Sequence, residues 1–81
     1  MYVGEYVKVL ATFAPAYKIR PVKFHWAGRT IRVSEITYTW RSKEGRKDIY
    51  HFALTDGSAL YELIYDAESL LWRLENLEAV E

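Results

Sequence analysis

His25 and His51 are the two side chains of this chain best suited to proton transfer or metal ligation near neutral pH. Both fall at polar positions of alternating segments, Phe24-His25-Trp26 and Tyr50-His51-Phe52, where a histidine reads as an ordinary surface residue. Asp48 stands three residues before His51, yet no nucleophile motif accompanies the pair. Without a cysteine, a metal site would need histidine and carboxylate alone, and no ligand spacing supports one. Gly28, Gly45 and Gly57 belong to turns rather than to a phosphate-cradling loop. Asp56 and Asp66 read as turn formers. The expectation is a non-enzymatic chain with no catalytic, cofactor-binding or metal-binding residue.

The basic side chains carry the sharper chemical signal. The chain has 11 Lys/Arg against 11 Asp/Glu, a net charge of zero that hides a split. Residues 1–47 hold ten Lys/Arg against Glu5, Glu35 and Glu44, a balance of +7; residues 48–81 hold Arg73 against eight acids, a balance of −7. Such asymmetry marks a basic binding surface unless the halves neutralise each other across a sheet. The candidate nucleic-acid-binding residues are Lys23, His25, Arg32, Arg41, Lys43, Arg46 and Lys47. On the outward face of a hairpin, Arg32 falls opposite Lys23 in one register and opposite His25 in another. Like charges directly opposite destabilise a sheet, so Glu35 and the acidic strands must compensate from within, or a phosphate backbone from outside. Arg41, Lys43, Arg46 and Lys47 add four cations in the polar segment that follows.

These residues must be positioned by strands. Eighty-one residues allow one domain, residues 1–81, and the 3 Trp, 7 Tyr and 3 Phe supply the area a short core needs. The 51% hydrophobic content excludes a disordered tail. No apolar run reaches membrane-spanning length and no signal pattern opens the chain, so a cytoplasmic protein without a membrane partner is expected. The first strand runs from Tyr2 to Phe13, and Pro21 marks an irregular entry to the second. Val22, Phe24 and Trp26 alternate with Lys23 and His25 before the turn at Ala27-Gly28. A two-residue loop there pairs Phe24 with Ile31; a four-residue loop pairs Trp26 with Ile31, and both keep one apolar face.

Further on, Ile36, Tyr38 and Trp40 match Leu54, Phe52 and Tyr50 across the polar loop RSKEGRKDI. Asp56-Gly57 signals a two-residue hairpin pairing Leu54 with Ala59, Phe52 with Tyr61 and Tyr50 with Leu63. A DAES loop then pairs Tyr65 with Leu70, Leu63 with Trp72 and Tyr61 with Leu74, with Glu62 across from Arg73. The apolar phase changes between Ile31-Val33 and Ile36-Tyr38-Trp40, which predicts a β-bulge near Ser34-Glu35. The expected fold is all-β: an antiparallel meander of five to six strands curled into a small, bulged half-barrel. The competing reading is α+β, with an amphipathic C-terminal helix from about residue 60 or a short helical turn over Asn76–Glu81. Trp26, Trp40, Trp72, Tyr38, Tyr50, Phe24 and Phe52 are assigned to the core. Tyr6 and Tyr17 fit the interior less clearly, and either suits base stacking or an interface anchor.

RPVKFHWAGRTIRVSEI, then Trp40, a Tyr-rich strand, DG, YEL and LWRL, resembles a family of short bacterial domains of unknown function. The shared pattern is Pro-x-x-Phe-x-Trp-x-Gly-Arg, a Val-rich strand, a Trp, Tyr-Glu-Leu and Trp-x-Leu, and the match covers nearly the whole chain. The motifs are structural aromatics and a turn glycine, so the resemblance implies a fold and no functional residues. Some relatives are encoded beside lesion-bypass DNA polymerases, which implies a setting in DNA metabolism. The functional expectation is an interaction module whose partner is nucleic acid, with a protein adaptor as the alternative. Unpaired strand edges add a homodimer.

Overall fold

The computed structural model describes residues 1–15 and 18–79. Its elements are β1 (Tyr2–Ala14), β2 (Lys18–Trp26), β3 (Arg29–Arg32), β4 (Glu35–Glu44), β5 (Lys47–Thr55), β6 (Ala59–Asp66) and β7 (Leu71–Ala79). The fold is all-β, with seven strands where five to six were expected, because the corner strand counts as two. They form one antiparallel sheet of order β3-β2-β1-β7-β6-β5-β4. Consecutive strands are neighbours except β3 and β4, which stand at opposite ends of that order. β1 closes the gap between the two halves by pairing with β7. There the Met1 ammonium donates to the Leu77 carbonyl at 2.8 Å, and the Leu77 N–H donates to the Met1 carbonyl at 2.9 Å.

The C-terminal helix does not form: Leu60 to Asp66 lie in β6 and Leu71 to Leu77 in β7, among whose core-facing side chains are Tyr61, Leu63, Tyr65, Trp72 and Leu74. Helical spacing and strand alternation coincide over short Leu-rich runs, and a core shared by six other strands selects the strand. Asn76 to Ala79 continue β7 instead of turning; residues 80 and 81, like Tyr17, lie outside the described residues. Leu54, Leu63 and Leu74 are fully buried. Each contributes roughly 1.5–3 kcal/mol by leaving water.

The turns are set by residue chemistry. Ala27 (φ 53°) and Gly28 (φ 77°) both take left-handed backbone, as a two-residue I′ hairpin requires. The register is therefore Phe24↔Ile31 and Lys23↔Arg32. The segment expected as a polar loop is mostly strand: Glu44 pairs with Lys47, and only Gly45-Arg46 turn. Asp56 accepts from the N–H groups of Ser58 (2.8 Å) and Ala59 (2.9 Å), and Asp66 from those of Glu68 (2.9 Å) and Ser69 (3.3 Å). Both aspartates are turn formers, as their neighbours suggested. Each turn leaves four residues unpaired, so the pairing slides to Leu54↔Tyr61, Phe52↔Leu63 and Tyr65↔Trp72. These registers replace the expected ones but keep the same apolar face. Glu62 consequently lies across from Asn76, while Arg73 lies across from Ile64 and bonds Glu75 at 3.2 Å. The expected Glu62–Arg73 pair is absent.

The phase change has two causes. The Val33 N–H donates to the Val22 carbonyl of β2 at 3.0 Å, whereas the Ser34 N–H donates to the Thr55 carbonyl of β5 at 2.8 Å. The expected bulge at Ser34-Glu35 is thus a change of partner strand, which lets Ile31, Val33 and Ile36 all pack on the core. The bulge itself comes later: register slips between Ile36 and Tyr38. Ile36 pairs with Leu54 as expected, but Trp40 then faces His51 rather than Tyr50, and Tyr38 faces Ala53 rather than Phe52. One extra residue sends the remainder of a strand to the other face. Tyr38 (66% exposed) and Trp40 (38% exposed) therefore leave the core to which they were assigned.

Candidate nucleic-acid interface

Alternation places a basic surface on the outside of β1, β2 and β3. Phe24 is buried, and Val7, Val9, Trp26 and Val33 pack against the core. Lys8, Lys23, His25 and Arg32 therefore project outward. Cross-strand register then brings them together, with Lys8 opposite His25 and Lys23 opposite Arg32. None of the four takes part in an ion pair among the described residues. Tyr6 stands two residues before Lys8 on the same face of β1, 66% exposed. Its ring lies open to an incoming base. Lys8 was missed from sequence; Val7 and Val9 already gave its outward direction, but only the β1–β2 pairing brings it to His25.

The other four candidate cations separate from this group. Lys43 pairs with Asp48 at 3.0 Å and Lys47 with Asp66 at 3.5 Å, so the acidic half neutralises them. Asp66 is held below the ordinary carboxylate range, chiefly by the N–H bond from Glu68, with Lys47 a smaller cause. Arg46 occupies the exposed β4–β5 turn. Arg41, which is exposed, turns to the Tyr50 side of the sheet after the Ile36/Tyr38 bulge, its guanidinium 5.5 Å from the Tyr50 ring centre and donating to the Tyr50 hydroxyl at 3.4 Å. It lines a groove of about 580 Å³ between the start of β2 and β4, together with Lys18 and Arg20.

His51 sits in a polar row across β4, β5, β6 and β7. Its Nε2 lies 2.7 Å from the Ser42 hydroxyl and its Nδ1 3.3 Å from Glu62, whose other oxygen accepts from the Asn76 amide at 3.0 Å. The imidazole stacks on Trp40 at 4.7 Å, and Trp40 on Tyr38 at 5.5 Å. The serine–histidine–carboxylate order matches that of acyl-transfer enzymes. Ser42, however, lies on an extended strand whose N–H groups point alternately to either side, and these do not converge on one oxyanion. The row orients the ring beneath Trp40. Among the described residues, no three His, Asp or Glu side chains cluster as a metal ion would require.

Compared with models of protein families, with curated proteins and with solved structures, the chain matches none. No helix of the described residues is long and apolar enough to cross a membrane.

Proposed function

We propose that this domain is a non-catalytic interaction module that binds single-stranded nucleic acid through the outward face of β1, β2 and β3. The observation that carries the reading is the like-charged cross-strand pair Lys23–Arg32, with Lys8 opposite His25 beside it, and no carboxylate paired to any of the four among the described residues. Their mutual repulsion opposes folding, and a phosphate backbone relieves it. The exposed Tyr6 ring adds a stacking surface that tolerates any base. The resemblance to short bacterial domains encoded near lesion-bypass polymerases agrees with this chemistry, and a cytoplasmic location is proposed with it. The reading includes a sheet curled into a half-barrel, and what supports that shape is the Val33-Ser34 link between its two edge strands.

The test is fluorescence anisotropy of a labelled oligonucleotide at low salt. The expected outcome is saturable binding whose log–log salt slope is about −2 to −3, for three to four phosphate contacts at roughly 0.7 each. No binding at tens of micromolar protein would overturn the reading.

A further inference from the structure

We infer that the groove between β2 and β4 is a docking site for an acidic, extended peptide segment of a partner protein, added as a strand to the free edge of β4. The site is separate from the basic face of β1, β2 and β3 and does not depend on nucleic-acid binding there.

The free edge follows from the register. β3 occupies the open side of β2 only from Lys23 to Trp26, and after Val33 the chain leaves β2 for β5. Among the described residues, the first residues of β2 and the whole of β4 therefore have a neighbour on one side only. The gap between them is the groove of about 580 Å³. A two-residue turn makes Glu44↔Lys47 a hydrogen-bonded pair, so Ser42 and Trp40 also bond toward β5. The Asp48 carbonyl agrees, since it accepts from Ala67 on the far side of β5 at 3.4 Å. Thr39, Arg41 and Lys43 consequently direct their N–H and C=O groups away from β5, and Thr39 and Arg41 are groove residues.

The chemistry of the walls selects the occupant. Lys18, Arg20 and Arg41 supply three cations, and among the described residues no carboxylate lines the groove. Ile19, Ile36 and Phe52 supply apolar surface between them. A strand placed there satisfies main-chain groups on β4, turns alternate side chains onto the apolar floor, and sets acidic residues against the cations. A second copy offering its own β4 edge would bring a further Arg41 to a groove that already holds three cations. An acidic segment of another protein fits.

The probe is a fluorescein-labelled peptide of alternating glutamate and valine, four of each, followed by anisotropy against the intact protein. Saturation is expected below about 100 µM protein. N-methylation of every second peptide amide removes main-chain donors and should weaken binding at least about tenfold. Thr39→Pro deletes an N–H that faces the groove rather than the ladder, so it should weaken binding about fivefold with little change in melting. Because that variant can disturb the edge, Arg41→Glu is read beside it: it should weaken the glutamate peptide and strengthen a lysine–valine analogue. Equal binding of the N-methylated peptide, no binding of either peptide to any variant, or displacement of the peptide by an oligonucleotide would each overturn the proposal. Persistence of peptide binding in Arg32→Ser supports it and separates the groove from the basic face.

Discussion

Lys23 and Arg32 face each other with like charge on a sheet surface, and that arrangement has two opposite consequences. In the free protein it costs stability, by a few tenths of a kcal/mol, as like charges directly opposite do. In a complex with phosphate the same two charges attract. Arg32→Ser should therefore leave the melting temperature unchanged or slightly raised while weakening oligonucleotide binding and flattening the salt slope by about 0.7. Thermal melting followed by circular dichroism and anisotropy on the same samples decide it; a fall in both quantities would mean that Arg32 holds the fold. Arg46→Ser is the control, because the β4–β5 turn lies outside the proposed footprint, and its affinity should match the parent's.

Among the elements, the β5–β6 turn shows how one residue organises a hairpin. Asp56 receives two backbone N–H bonds and the Tyr61 hydroxyl at 3.2 Å, and it is held below the ordinary carboxylate range, first of all by the Ser58 N–H. Tyr61 moves the other way, pushed up by burial and by the neighbouring Asp56 charge. A carboxyl whose folded pKa is depressed contributes stability above its unfolded value, and loses it as pH falls through the folded value. Asp56→Ala should cost about 1 kcal/mol at neutral pH. For a domain of this size that is about 4–8 °C in melting temperature. The gap between parent and variant should narrow as pH is taken below the ordinary aspartate value of 3.8. Melts from neutral to strongly acidic pH check it, and a gap independent of pH would assign the loss to turn geometry alone.

At the scale of the whole molecule, the +7 and −7 halves of the chain do not zip together. The acidic strands β5, β6 and β7 lie between β1 and β4, so the basic half is split across the sheet order. Among the described residues only two ion pairs, Lys43–Asp48 and Lys47–Asp66, join basic to acidic half, and both are at the β4–β5 hairpin end with exposed lysines. Exposed pairs of this kind contribute little and are screened by salt. The melting temperature should therefore change by no more than about 2 °C between roughly 50 and 500 mM NaCl, while oligonucleotide binding falls steeply over the same range. A melt that collapses with salt would show that the halves stabilise one another, and would remove the motive for an external phosphate.

Local chemistry alone determined much of this protein. Alternation over Val22–Trp26 and Tyr50–Leu54, the Ala27-Gly28 turn and the turn-forming Asp56 and Asp66 specify strands and hairpins through period and backbone preference, which act within a few residues. Those same signals placed Lys23, His25 and Arg32 on one outward face. What local chemistry could not decide is anything that turns on a single extra residue, because a slip of one inverts every side chain beyond it. The bulge between Ile36 and Tyr38 took Tyr38 and Trp40 out of the core and turned Arg41 into the groove. The closure of β1 on β7, the handover of the chain from β2 to β5 at Val33-Ser34, and the arrival of Lys8 beside His25 join residues far apart in sequence. Such pairings carry no local signature, and only the shared burial of one core selects them.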